Sequence, residues 1–157
     1  MGETLEAEWR ITGSPEETQQ FRGALGRLSE IQVGHSISEA IRERSTTIRF
    51  GQVEEHTVAY FDPAGNEIVI DDSLQGASLE VLAAHLAHEG THVQWDKANS
   101  IDQEYHAFRT QAEVWNELKG DQSDEQCDFV SRMIALGEEN AKDLFISSMY
   151  PELPEYA

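Results

Sequence analysis

The sequence predicts an α+β protein in which a small, mostly antiparallel sheet of three to four strands packs on a buried helix, followed by two further helices. Short segments rich in β-branched and aromatic residues between positions 47 and 70 indicate the strands. Serine residues that precede apolar residues spaced three to four apart indicate the helices. Because no linker or internal repeat interrupts the 157 residues, we expect residues 1–157 to form a single domain.

The first half of the chain combines both kinds of element. Alternating apolar and polar residues over 5–11 predict a strand. Capping patterns at Ser14 and Ser36 predict one helix to about Gly34 and a second, shorter helix to about Arg44. Further strands are predicted at 47–50, 57–61 and 67–70, the last two joined by a hairpin turn at 62–66.

Three serines predict where the helices of the second half begin. Ser78 precedes the buried helix, and Ser100 precedes the next one, which runs to about Lys119, with Gln103 completing its capping box. Ser123 begins a last long helix, whose apolar stripe continues to Phe145. The prolines after Tyr150 then exclude further helix.

The pattern H-E-x-x-H at 88–92 is the most informative feature of the sequence. His88 and His92 lie one helical turn apart on the same face, so both imidazoles can bind one tetrahedral Zn²⁺ per chain. Glu89 would lie beside the open position of the ion, where a carboxylate can accept a proton from bound water. Residues 79–87 are apolar on almost every side, so the helix is expected to be buried, and an ion would give its polar residues a partner.

A catalytic zinc site usually needs a third protein ligand, and Glu104 is the preferred candidate. Glu104 is in phase with the apolar stripe of its helix, whereas the helix dipole alone accounts for an acid at Asp102. Asp102 is therefore the second choice. The other downstream candidates are Asp96, His106 and Glu113.

Other polar residues near the motif are assigned less specific roles. His85 lies too far along the helix to share an ion with His92, so we interpret it as packing or as support for a ligand. The side chains that could stabilise an oxyanion or support the ligands are Tyr60, Tyr105 and His106, with Arg109 and Tyr150 as further candidates.

The amino-acid composition limits the kinds of partner that the protein is expected to bind. The formal net charge of −19 argues against binding to nucleic acid or to an anionic membrane surface, since both require Lys and Arg. A peptide or protein substrate is the expected partner. The single cysteine, Cys127, fits a reducing compartment, and residues 1–6 lack the features of a signal peptide, so a cytoplasmic location is expected.

The motif followed on the next helix by Glu104-Tyr105-His106-Ala107 resembles the gluzincin group of zinc metallopeptidases, most closely the single-domain minigluzincins. The resemblance covers about residues 36–120 and implies a zincin-like fold and a zinc-dependent hydrolase. It also implies that His88, His92 and Glu104 are the ligands, that Glu89 is the general base and that a zinc-bound water is the nucleophile. An edge strand within 57–61 would bind an extended peptide by main-chain pairing.

The sequence departs from this resemblance at one point and leaves other functions open. Several gluzincin families carry an Asp soon after the glutamate ligand, but here residues 105–108 contain none. The alternative functions are a catalytically silent zinc-binding interaction module and an autoinhibited peptidase whose segment 147–157 lies over the cleft.

Overall fold

The computed structural model describes residues 8–55, 57–95 and 97–156 and confirms the α+β class. The elements of the first half are β1 (Arg10–Ile11), α1 (Pro15–Ser29), α2 (Gln32–Glu43), β2 (Thr47–Gly51), β3 (Ala59–Asp62) and β4 (Glu67–Asp71). Those of the second half are α3 (Leu79–Trp95), α4 (Ile101–Leu118), α5 (Glu125–Ala135), α6 (Glu138–Ala141), a π-helical segment (Lys142–Ile146) and α7 (Ser147–Met149). A 3₁₀ turn at Asp72–Leu74 precedes α3. Residues 5–7 of the first predicted strand lie outside the described residues.

The sheet has the order β1-β2-β4-β3, and its strand directions correct the expectation of a mostly antiparallel sheet. The pairs β1–β2 and β2–β4 are parallel, and only β3–β4 is antiparallel. The physical reason is the connectivity. Helices α1 and α2 form a crossover between β1 and β2, and the hairpin inserts its second strand beside β2. Strand β3 is left at the edge of the sheet, with β4 as its neighbour.

The predicted hairpin between β3 and β4 is confirmed. Asp62 pairs with Glu67 in the antiparallel register, and the backbone N–H of Ala64 donates to Asp62 Oδ1 at 3.0 Å. Asn66 has a φ of 52°, which is the left-handed conformation that asparagine tolerates best among residues with a Cβ. The turn therefore fixes how far β3 extends along the sheet.

The boundary between the first two helices differs from the prediction. Ser14 caps α1 with the expected capping box, but α1 ends at Ser29, and α2 already begins at Gln32. The predicted cap at Ser36 is therefore wrong, and Ser36 lies inside α2, where its hydroxyl accepts from Gln94 Nε2 at 2.9 Å. Gly34 does not end a helix, because its role is to let α2 pass close to the backbone of Leu28.

The last long helix is also interrupted. Asp124, not Ser123, caps α5 by accepting from the backbone N–H of Cys127. Gly137 has a φ of 95°, a conformation that only glycine adopts readily, so α5 ends before it and α6 begins after it. The buried Lys142 ties the following segment to α4 through Asp102 Oδ1 at 2.9 Å.

The buried helix predicted around the motif is α3, which packs against α1, α2, α4 and β3. Ser78 caps it by accepting from the backbone N–H of Val81 at 3.2 Å. Residues 81–91 are all buried, as the apolar sequence predicts. The motif therefore lies in the interior of the protein, on a helix that packs against α4 and β3.

We expect the substitution Gly90→Ala to destabilise the fold, because a Cβ at this position would overlap side chains of α2. It would fall 3.0 Å from Ile41 Cδ1 and closer still to Ile37. Overpacking costs about 1–3 kcal/mol, which should outweigh the gain in helix propensity of at most about 1 kcal/mol. Urea unfolding should therefore give a lower free energy of unfolding than the wild type.

The matched control is Gly26→Ala on α1, where a Cβ would meet no atom within 4 Å. This exposed substitution should raise the free energy of unfolding by up to about 1 kcal/mol. Equal stabilities of the two variants would contradict the close approach of α2 to the motif.

Candidate metal centre

Helix α3 brings three motif residues together in a group that could hold a metal ion. One ligand atom from each of His88, Glu89 and His92 lies within 4.8 Å of the others. His88 is 5% exposed and Glu89 is 6% exposed, while His92 is partly buried, so only a small part of the group is exposed to water. The arrangement follows from the helical periodicity, since residues four apart share a face.

Helix α4 adds the carboxylate of Glu104 to this group. Glu104 Oε1 lies 3.1 Å from His88 Nε2 and 3.2 Å from His92 Nε2. A tetrahedral zinc with ligands at about 2.0–2.1 Å would separate its ligand atoms by about 3.3 Å. The two distances from the carboxylate oxygen to the imidazole nitrogens are therefore close to the separation of two ligand atoms around such an ion.

The other third-ligand candidates are placed differently. Asp102 Oδ1 lies 2.9 Å from Lys142 Nζ and 3.6 Å from His106 Nε2, on another side of α4. Glu113 is exposed near the middle of α4, and Asp96 lies outside the described residues. The structure thus brings Glu104, and not Asp102, to the motif.

Two glutamines of α4 hold the other ring nitrogen of each histidine. His88 Nδ1 lies 3.0 Å from Gln111 Oε1, and His92 Nδ1 lies 2.6 Å from Gln103 Oε1. Ser100 caps α4 as predicted, but the Gln103 side chain does not complete the capping box because it turns to His92. Asn99 Nδ2 donates to Glu104 Oε2 at 2.7 Å, which leaves Oε1 facing the imidazoles.

Burial and charge together set the pKa values in the site. Burial opposes the charge on His92, but the hydrogen bond and the charge of Glu104 outweigh it and raise the pKa of His92 to about 9. Burial also opposes the charge on Glu104, yet hydrogen bonds from His88 and His92 hold its pKa well below the usual value. Burial raises the pKa of Glu89, although the neighbouring imidazoles act in the opposite direction. The site therefore favours a positive charge between its imidazoles and Glu104.

A cleft of about 670 Å³ opens over these groups. The edge strand β3 forms one wall, to which Ala59, Tyr60 and Phe61 contribute. Residues 97–99, which precede α4, form part of the opposite wall, and Tyr150 also lines the cleft. Such a volume is typical of sites that accept small molecules or short peptide segments.

Only some of the residues proposed to stabilise an oxyanion or to support the ligands line the cleft. Tyr60 lines the cleft and is 38% exposed. Tyr105 instead faces Lys142, whose Nζ lies 5.6 Å from the centre of its ring. His106 packs beside Trp95, with ring centres 5.1 Å apart. The two residues of α4 therefore contact other parts of the protein, while Tyr60 and Tyr150 line the cleft.

His85 lies behind the metal-binding group and is buried. Its Nε2 lies 4.0 Å from Cys127 Sγ, and burial lowers the pKa of His85 to about 4. Because it is neutral and faces α5, it fits the packing role that the sequence suggested.

Sequence reasoning did not identify the supporting residues Gln103, Gln111 and Asn99. Gln111 lies in the same stripe as Glu104, seven residues later, so its position was visible in the helical periodicity. Gln103 matched a capping box equally well, and no pattern in the sequence distinguished the two roles. Asn99 belongs to a loop, for which periodicity gives no information.

Comparison with known proteins does not assign the chain to a family. No protein-family model, curated protein or solved structure matches the chain. Within the described residues, no helix has both the length and the apolarity needed to cross a bilayer. The fold and the site define a small α+β protein with a buried His-Glu-His group that could bind a metal ion.

Proposed function

We propose that the protein is a zinc-dependent metallopeptidase of the gluzincin type, with His88, His92 and Glu104 as the ligands. The observation that carries the proposal is the convergence of two imidazole Nε2 atoms on one carboxylate oxygen, at 3.1 and 3.2 Å. The glutamine oxygens beside Nδ1 favour the hydrogen on that atom, and two neutral imidazoles in this form would direct Nε2 lone pairs at the carboxylate. A shared cation or a proton would remove this repulsion. Two nitrogens and one oxygen are donors that zinc accepts readily.

The presence of Glu89 favours a catalytic site over a structural one. A structural zinc usually closes its fourth position with another Cys or His, whereas a catalytic zinc keeps that position open. The Glu89 carboxylate approaches His88 Nε2 at 4.0 Å and lines the cleft, so it lies beside the ligands on the open side. This position supports the proposed role of Glu89 as the general base.

Hydrolysis would depend on a few residues of this chain. Zinc, when bound, supplies Lewis acidity that polarises the scissile carbonyl and acidifies a water molecule. Glu89 accepts the proton of that water on its carboxylate and donates it to the leaving amine. Tyr60 and Tyr150, the two tyrosines in the cleft, are the candidates for hydrogen bonding to the developing oxyanion.

Strand β3 offers a place for an extended peptide. It lies at the edge of the sheet and lines the cleft, so its outer backbone groups can pair with a substrate strand. We therefore propose a peptide or protein substrate, and not nucleic acid or a membrane surface. A cytoplasmic location remains a prediction of the sequence.

The alternative proposal is a latent or silent form of the same site. The carbonyls of Pro154 and Glu155 accept from the backbone N–H groups of Ile101 and Asp102 at 2.8 and 2.9 Å. This pairing ties the segment after Tyr150 to the start of α4, beside the cleft. Tyr150 itself lines the cleft, so this segment could restrict access to the metal centre.

Removal and return of the metal tests the proposal. We expect one zinc per chain by elemental analysis and cleavage of unfolded protein substrates. Chelation should abolish cleavage, and one equivalent of zinc should restore it, because the proposed mechanism depends on the Lewis acidity of the zinc ion. One zinc per chain without any cleavage would support the silent or latent alternative. A chain that binds no divalent ion would contradict both.

A further inference from the structure

Each histidine of the motif has a glutamine amide as the partner of its Nδ1 atom. In many zinc sites this partner is a carboxylate, a backbone carbonyl or a water. Here Gln103 and Gln111 are each 2% exposed, and both come from α4, the helix that carries Glu104. One helix thus provides the acidic group and both amides that face the pair of imidazoles.

The surroundings of Gln103 determine which way its amide points. Gln103 Nε2 donates to the backbone carbonyls of Lys97 and Ala98 at 3.4 and 3.2 Å. A carbonyl can only accept, so the amide nitrogen must face the loop and Oε1 must face His92. His92 Nδ1 therefore carries the hydrogen of this bond, and its Nε2 points to Glu104.

Gln111 makes the matching contact to the other histidine. Its Oε1 lies 3.0 Å from His88 Nδ1, and His88 Nε2 lies 3.1 Å from the same carboxylate oxygen of Glu104. Both rings present the nitrogen that a metal ion would use.

We infer that Gln103 and Gln111 are positioning residues that orient both imidazoles, keep the hydrogen on Nδ1 and leave Nε2 for the ion. The inference rests on the metal centre of the proposed function. Gln103 also links His92 to the backbone at 97–98, so the wall of the cleft and the metal ligand share one hydrogen-bond network.

Zinc affinity, measured by competition with a chelator, tests the inference without any peptide substrate. Gln103→Leu and Gln111→Leu should each weaken zinc binding by about 10–100-fold, because a ring without its partner is no longer held in place. Gln111→Glu keeps an acceptor oxygen beside His88, so it should bind zinc at least as tightly as the wild type. Gln19→Leu, on the exposed face of α1, is the matched control and should leave the affinity unchanged.

Proton NMR of the zinc-loaded protein supplies a second measurement, which a purely structural role would not change. The wild type should show two imidazole N–H signals protected from exchange with water, and each Leu variant should lose one of them. If a Leu variant does not fold, the Asn variant at that position, whose amide is too short to reach the ring, replaces it.

The outcomes separate this inference from the proposed function. Leu or Asn variants that fold, keep both signals and bind zinc like the wild type would overturn the inference even if the wild type cleaves peptides. If the wild type binds zinc but cleaves nothing, and the variants lose zinc affinity and an N–H signal, the inference is supported and the peptidase is contradicted.

Discussion

Replacing Glu89 with Gln is expected to abolish peptide hydrolysis and to leave zinc binding intact. The amide has nearly the shape of the carboxylate, so it should fit the buried position, which is 6% exposed. It cannot accept a proton from water, and general-base catalysis typically contributes about 10²–10⁴-fold to the rate. We therefore expect kcat to fall by at least about 100-fold, measured with a fluorogenic peptide at saturating concentration.

Zinc content and a surface substitution serve as controls for this variant. Glu89→Gln should retain one zinc per chain, because the proposed ligands are His88, His92 and Glu104. Glu113→Gln changes an exposed glutamate of α4 and should keep the parental kcat. Hydrolysis by Glu89→Gln at the parental rate would remove Glu89 from the mechanism and leave the metal centre without its general base.

Replacing Glu104 with Ala is expected to have the largest effect on zinc binding. Glu104 supplies the oxygen on which both Nε2 atoms converge, and hydrogen bonds from the imidazoles hold its pKa low. Loss of a supporting residue already costs about 10–100-fold in metal affinity, so loss of a ligand should cost more than about 100-fold. Chelator competition at fixed pH measures this change, and peptide hydrolysis should disappear with the zinc.

Asp102→Asn is the matched comparison, because Asp102 was the competing candidate for the third ligand. Its carboxylate binds Lys142 Nζ at 2.9 Å, away from the motif. The substitution should lower the free energy of unfolding by about 1–3 kcal/mol, since it weakens a hydrogen bond to a buried charge. Its zinc affinity should stay at the wild-type value. If Asp102→Asn lost zinc and Glu104→Ala kept it, the third position would belong to Asp102.

Local chemistry made much of the fold predictable from the sequence. The caps at Ser14 and Ser100 depend on residues within one helical turn, and the hairpin at 62–66 depends on its own turn residues. The buried motif helix followed from its apolar residues. The helical stripe also favoured Glu104 over Asp102, in agreement with where the structure places these two side chains.

The wrong predictions concern features that local sequence patterns do not determine. Periodicity indicates which face of a strand is buried, but it says nothing about the strand's neighbours, so the parallel pairing of β2 with β4 was missed. A glycine can end a helix or allow a close contact, and Gly34 has the second role. The interruption at Gly137 was missed because a glycine within a helical stripe can be tolerated or can end the helix, and periodicity does not distinguish the two.

The pairing of Pro154 and Glu155 with the start of α4 has a consequence for recognition. The first turn of a helix normally attracts phosphate or carboxylate groups, because its backbone N–H groups have no partner within the helix. Here two of these donors, on Ile101 and Asp102, are already satisfied by carbonyls of the same chain. An incoming anion therefore finds two of the amides that begin α4 already engaged.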